Sequence, residues 1–390
     1  MSYTPGSSEW RENEALKAEL NALAIRQGRA PSWPLEDQRE ALRDAFAAGF
    51  LHRPGRDPHP LASEYLKAGP MSYVRLAEQC LALAGHRVAA DGDGFNAIRA
   101  ALRTADFPSI IEETARGLAE ARQSTQLADL LALTAQLEVP TYAAQSYSMV
   151  DLDNLPAPGA TTLANYVFPT VKLTGEPIQT FGVLAKILIT RQALTNDDRN
   201  LVRAAVNAFL AAAHRNEMKT LAALLEANAT LEDGTALFAT AKGNLVTAAL
   251  DSGGLASAFA ALRETPVESG DPADAACSAI LVHSDDEVDT LELVEALPEP
   301  RRPRVVATAN LATAGAWYVF ASPITHPAIG RVRMVGAPES AVTFGGMVDA
   351  TQRDPVTGEI REYPGVALEA THNVGYSVLS RIGVVKCSKT

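Results

Sequence analysis

The clearest pattern of hydrophobic and polar positions lies in the middle of the chain. There Val202, Val206, Phe209, Leu210, Ala213, Leu221, Leu224 and Leu225 fall on one broad side at helical spacing. No glycine or proline interrupts residues 197–227. Thr195-Asn196-Asp197-Asp198 supplies an N-cap and two acids for a first turn, where the helix dipole favours negative charge. The spacing predicts a helix over 197–227, on the order of 45 Å long. Helices in globular domains average about three turns, so one this long acts as a spine.

Upstream, residues 1–100 are alanine-rich and helical in texture, broken by Pro31, Pro34, Pro54, Pro58 and Pro60. HRPGRDPHP (52–60) reads as a linker. Pro70 to Gly85 reads as an amphipathic helix with Val74, Leu76, Ala77, Cys80, Leu81 and Leu83 as its apolar members. A further helical stretch is expected from Ile110 to Leu137. From Val139 the chain turns β-branched and turn-rich. Strands over Ala164–Leu173 and Phe181–Thr190, flanking the turn Thr174-Gly175-Glu176-Pro177, predict a long hairpin with little core of its own.

Downstream, helix and strand alternate. Ala258–Arg263 reads as helix, CSAILVHS (277–284) as a buried strand, and Asp285–Ala296 as a helix capped by Ser284. RVVATA (304–309), WYVFAS (317–322) and VRMVGA (332–337) read as strands, and two more close the chain between Gly365 and Lys386. The class is α+β.

Composition adds exclusions. With 47% hydrophobic and 21% charged residues the chain can bury a sizeable core. No apolar run reaches membrane-spanning length, and the polar, charged N-terminus does not read as a secretory signal. Cys80, Cys277 and Cys387 are far apart without CxxC spacing, so they read as reduced thiols, neither disulfide framework nor zinc site. The formal charge is −12. The longest basic cluster, Arg301-Arg302-Pro303-Arg304, follows Glu295 and Glu299 and reads as a solvated loop, not a nucleic-acid site. A net negative charge of this size disfavours adhesion to nucleic acid.

No nucleophile elbow, P-loop, zincin or dinucleotide-binding motif is present. DGDG (91–94) resembles half of a calcium loop, but Leu102 stands where the twelfth-position glutamate belongs, so it reads as a turn. His52 and His59 sit in a proline-rich setting that fixes no metal geometry. His283-Ser284-Asp285 cannot form a catalytic relay, because adjacent strand residues point to opposite faces. The expectation is no catalytic residue, no metal, no cofactor and no enzyme activity.

Five segments together resemble a known family. TADFPSIIEETARGL (104–118) resembles the segment that opens the capsid domain of Mu-like and related phage head proteins, a domain that often follows a prohead protease in one polypeptide. FGVLAKILITRQALTNDD (181–198) resembles that family's junction of strand and spine helix. DGTALFATAKGNLV (233–246), AWYVFASP (316–323) and HNVGYSVLSRIGVVK (372–386) resemble its later elements, in family order. Lys242 departs from the histidine usual at its position. The resemblance spans 104–390, and the first hundred residues match no motif of that family.

The resemblance implies the HK97 capsid fold. On this chain it implies a helical N-terminal extension (1–105), an N-terminal arm (106–140), an E-loop region (141–190) and a peripheral domain with the spine helix (191–249). An axial domain (250–345) and the closing peripheral strands (346–390) follow. It implies a major capsid protein of a virion, assembled in the host cytoplasm. Its partners would be copies of itself in hexamers and pentamers, with scaffold, prohead protease, portal and decoration proteins as further candidates. The shell would enclose double-stranded DNA without reading its sequence and would touch no membrane. Inter-subunit contacts are expected from the E-loop at Tyr166, Phe168, Lys172, Thr174, Glu176, Pro177 and Ile178. Lys172 and Lys186 read as solubilising charges; no asparagine partner for a cross-link can be named. Rival readings are an encapsulin-like nanocompartment shell with enzyme cargo, an N-terminal hydrolase remnant, and a tail or portal ring. Residues 1–100 read either as scaffold later removed or as a retained extension.

Overall fold

The structure is a computed structural model. It describes residues 17, 19–21, 23–25, 31–48, 58–67, 70–86, 94–120, 125–153, 170–190, 196, 199–267, 270–299, 301–312, 315–337, 339–353 and 360–388. In chain order the helices and strands are α1 (Leu35–Ala48), α2 (Ala62–Lys67), α3 (Tyr73–Leu83), α4 (Gly94–Ala101), α5 (Asp106–Glu120) and α6 (Thr125–Leu133), then β1 (Ala135–Val139), β2 (Gln145–Asp153), β3 (Thr170–Ile178) and β4 (Gly182–Thr190). The long helix α7 (Arg199–Ala227), β5 (Leu245–Thr247), α8 (Ser252–Glu264), β6 (Cys277–His283), α9 (Glu287–Glu295) and β7 (Arg304–Thr308) follow. The chain closes with β8 (Ala316–Ala321), β9 (Ile329–Met334), β10 (Ser340–Arg353), β11 (Ile360–Val378) and β12 (Val384–Ser388). The α+β class read from the sequence is the one observed.

Two compact units are present. The first comprises Met1–Arg122, Leu184–Ala211 and Ser340–Thr371. Its core gathers Leu42 and Phe46 of α1, Tyr65 of α2, Leu76 and Cys80 of α3, Ile98 of α4, and Phe107, Ile110 and Ile111 of α5. Val206, Phe209 and Leu210 from the first half of α7, and Ala370 of β11, complete it. The amphipathic helix expected over 70–85 is α3: Ser72 caps it by accepting the Arg75 N–H, and Leu76, Ala77, Cys80 and Leu81 are buried. Of the expected DGDG turn, only Gly94 lies within the described residues. It starts α4, and a Cβ there would come within 2.6 Å of a Val74 methyl, so glycine lets α4 close on α3.

The second unit comprises Gln123–Val183, Ala212–Glu339 and His372–Thr390. Its five-stranded sheet has the order β5-β12-β8-β6-β7. β8 is buried along its whole length, and successive side chains serve different cores. Ala316, Tyr318 and Phe320 pack with Leu221, Leu225 and Met218 of α7, while Trp317, Val319 and Ala321 pack with Leu255, Ala258 and Leu262 of α8. A strand covered on both faces has no polar alternation, which is why WYVFA reads as one apolar run. β6 and β7 are parallel and joined through α9, so they form a βαβ crossover.

Several expectations shift. Within the stretch expected as helix from Ile110 to Leu137, the described residues form α5, ending at Glu120, and α6, ending at Leu133, and Ala135–Val139 is instead a strand pairing parallel with β9. AQLEV alternates half-buried and exposed positions and ends on the buried Val139, a period of two hidden inside a helix-favouring composition. VRMVGA begins its strand earlier, at Ile329, and the strand β10 was not anticipated. Ser284 is not the cap of α9. It opens a 3-10 turn over Ser284–Asp286, where the His283 ring accepts the Asp285 N–H at 3.2 Å. The N-cap expected at Thr195, Asp197 and Asp198 lies outside the described residues, as do residues 52–57 of the expected linker.

Leu281 is fully buried between the sheet and α7, whereas Ile324 is 91% exposed. Leu281→Ala is expected to lower the stability of unassembled subunits by about 2–5 kcal/mol. Ile324→Ala should stay within about 0.5 kcal/mol. Urea unfolding followed by circular dichroism measures both.

Candidate functional site

Two features stand apart from ordinary core: a two-stranded ribbon, and a set of charged groups without access to solvent. In the ribbon, β2 and β3 pair antiparallel from Gln145↔Ile178 to Asp153↔Thr170. Among the described residues neither strand pairs with a third. A long hairpin was expected here, but not in this register. Thr174, Gly175, Glu176 and Pro177 do not form a turn; they lie within β3, opposite Met149, Ser148, Tyr147 and Ser146. Gly and Pro mimic a turn signal, yet each strand of a two-stranded ribbon has an open edge where a missing N–H costs no ladder bond. The partner of β3 is β2, and β4 pairs with β11 instead.

The base of the ribbon is tied down. Ile178 is buried with Val139, Val332 and Leu379, with Tyr147 partly buried against them. A Glu176 carboxylate oxygen accepts the Glu232 N–H at 2.9 Å. Gly375 allows the segment after β3 to pass close by: a Cβ there would sit 2.0 Å from the Gln179 carbonyl oxygen. Ile178 is therefore engaged in the core of its own unit. Pro177 is exposed, Lys172 and Thr174 lie along β3 opposite Asp151 and Met149, and Tyr166 and Phe168 fall outside the described residues.

The segment resembling DGTALFATAKGNLV is a structural knot. Arg381 forks onto Asp233 at 2.6 and 2.9 Å and also donates to the Thr235 carbonyl at 3.1 Å. That fork holds the Asp233 carboxyl well below the usual carboxylate range. The fully buried Asn244 accepts the Ala239 N–H at 3.0 Å and donates to the Leu237 carbonyl at 2.7 Å. Lys242, the departure from the family pattern, pairs with Asp233 at 3.4 Å.

The charged set is centred on Glu217, on α7, which is 3% exposed. One of its oxygens accepts from Arg331 Nε at 2.7 Å and from the Tyr376 hydroxyl at 2.6 Å. The other accepts from Arg331 Nη2 at 3.1 Å and lies 2.9 Å from His372 Nε2 and 3.3 Å from His214 Nδ1. Arg331, on β9 and 1% exposed, also donates to both oxygens of Glu339 and, at 3.2 Å, to Gln136. Burial works to raise the Glu217 carboxyl's pKa. Hydrogen bonds from His214, His372 and Arg331 outweigh it and hold the group well below the usual carboxylate range. Burial, then the Glu217 charge, pushes the Tyr376 phenol up.

Oxygen and nitrogen donors of Glu217, Glu339 and His372 lie within 4.8 Å of one another, a spacing that suits a metal ion. The cation already placed between the two carboxylates is the Arg331 guanidinium, so this donor set is complete without a metal. Nothing in the sequence pairs these residues. The one available signal is His214 and Glu217, two polar residues on the buried side of a helix otherwise lined with Ala, Leu and Met.

Removing one partner of such a set strands the others. Glu217→Gln is expected to cost about 3–5 kcal/mol at neutral pH. Because the folded-state pKa of Glu217 is depressed, its contribution is fully present above the ordinary glutamate value of ~4.3. It is lost as pH falls toward the folded value. Urea midpoints measured against pH should therefore fall more steeply below about pH 4 for the wild type than for Glu217→Gln, and the two curves should converge.

A family model described as phage capsid protein matches residues 185–387, just over half of the 390-residue chain. None of the curated proteins compared matches it. Among solved structures, the holo-SrpI encapsulin complex from Synechococcus elongatus is 10% identical, with 68% of this chain and 87% of that one covered at a TM-score of 0.43. The capsid of the cyanophage P-SCSP1u is 11% identical, covering 67% and 88% at 0.40. A virus-like particle from Pyrococcus furiosus is 13% identical, covering 73% and 100% at 0.43. The matched segment takes in α7, the knot at Asp233, the five-stranded sheet and the Glu217 set. By that sequence match, the chain belongs to the phage capsid protein family.

Proposed function

We propose that this chain is the major capsid protein of a phage head, a structural subunit of HK97 type and not an enzyme. Copies of it would close into an icosahedral shell around double-stranded DNA. The observation that carries the reading is the family match over 185–387, which spans the spine helix and the closing strands. Two physical features support it. The β2–β3 ribbon is anchored at its base and, among the described residues, has open edges along its length, as an element that finds its remaining contacts on another subunit requires. The net charge of −12 disfavours adhesion of the wall to DNA.

In this reading the ribbon belongs to the E-loop (141–190). It lies over an adjacent subunit and makes its contacts through Tyr166, Phe168, Lys172, Thr174 and Pro177. Ile178 and Glu176 hold its root. The spine helix and closing strands form the peripheral domain, and residues 250–345 meet around the centre of hexamers and pentamers. Such ring contacts are heterologous, and local curvature closes them into a shell.

Electron microscopy of the purified protein, or of particles containing it, should show closed icosahedral shells tens of nanometres across, with nuclease-protected DNA inside. An enzyme cargo without DNA would move the reading to a nanocompartment, and a single ring would overturn the shell. Asp153 sits opposite Thr170, so a two-residue Gly turn can replace residues 154–169. That variant should fold, by circular dichroism, and fail to assemble. Shells at wild-type yield from it would show that residues 154–169, with Tyr166 and Phe168, are not assembly contacts.

A further inference from the structure

The residues before the family match form a folded body of their own kind. Residues 31–120 precede the matched segment, which begins at 185. Yet they share one core with elements inside it. Every buried member of that core among the described residues comes from Ile25 to Ile111, except Val206, Phe209 and Leu210 of α7 and Ala370 of β11. Those four have their buried apolar partners in the N-terminal helices. α5 also packs against β10.

The segment is internally finished. Phe46 and Tyr73 meet edge to face at 5.2 Å, and Trp33 and Tyr65 at 5.8 Å. Arg39 pairs with Asp106 at 2.6 Å and Arg43 with Glu113 at 3.0 Å, joining α1 to α5. Three hydrogen bonds tie it internally: Gln79 donates to the Ile25 carbonyl at 3.1 Å, Gln38 to the Pro31 carbonyl at 3.0 Å, and Asp44 accepts the His59 N–H at 2.7 Å. Close packing, aromatic pairs and ion pairs between helices mark a domain core, not a transient helical tether.

We infer that residues 31–120 are a resident clamp on the first half of the spine helix, retained in the assembled shell and not cut away as scaffold. Removing them would bare Val206, Phe209, Leu210 and Ala370 at once. While they are present, that helix face cannot serve as a contact for a neighbouring subunit or a separate scaffold protein. Retention in the shell rests on the capsid reading; the clamp itself does not.

Two experiments separate these. The first is the intact mass of the subunit from DNA-filled particles. The full 41.3 kDa chain supports the inference, and a chain starting at or beyond residue 100 overturns it while leaving the shell reading intact. Absence of particles would refute the shell reading and leave the clamp to the second experiment. There, residues 121–124 of the full-length chain are replaced by a specific protease site, and the folded protein is nicked. The two pieces should co-elute on size exclusion and part only in denaturant. Elution of the N-terminal piece alone from native buffer overturns the clamp. With Phe209→Asp in the nicked chain, the pieces should separate at a lower denaturant concentration than in the parent protein, and an unchanged midpoint overturns the clamp.

Discussion

A carboxylate with no route to water has to be answered by polar partners, and for Glu217 three stretches of chain supply them. Arg331 arrives on β9, His372 and Tyr376 on β11, and His214 from one turn earlier on the same helix. Desolvating an ion pair costs several kcal/mol per ion, so the set adds little net stability over an apolar replacement. What it adds is discrimination. Sliding the second half of α7 along the strands by one turn would leave a buried charge unpaired, whereas Leu221 or Leu225 would tolerate such a slip. Apolar packing holds the helix to the sheet; Glu217 determines which register is held.

The same division recurs around it. Apolar surface supplies adhesion, and a few polar contacts supply position. At the root of the β2–β3 ribbon, Ile178 gives the burial and the Glu176 bond to the Glu232 N–H gives the alignment. In the knot at 233–246, Leu237 and Phe238 are buried while the Arg381–Asp233 fork and Asn244 fix the path of the loop. These placements fall inside the segment matched to the phage capsid family, apart from the ribbon itself. A shell subunit has to present its edges in a reproducible geometry, and rigid loops and a registered helix meet that requirement.

The chain itself determined the elements whose signal is local. Helical spacing without glycine or proline located α7 to within two residues of its observed start, and the unbroken apolar runs located β6 and β8. The family motifs were legible for the same reason: RQALTNDD and LFATAKGNL are contiguous, and contiguous residues need no tertiary partner to be recognised.

Tertiary structure alone decided the rest. Thr174–Pro177 carries turn-forming residues but lies in a strand, because pairing with Ser146–Met149 outweighs a weak local preference. Ala135–Val139 carries a helix-favouring composition but becomes a strand, because a partner, Ile329–Met334, is available to pair with it. Arg331, His372 and Tyr376 reach Glu217 from more than a hundred residues away, and no periodicity links them. Local propensities are worth a fraction of a kcal/mol per residue, whereas burial and pairing with a distant strand are worth several. The sequence therefore determined the elements that stand on local spacing, and the three-dimensional fold decided the ones that exist only because something else packs against them.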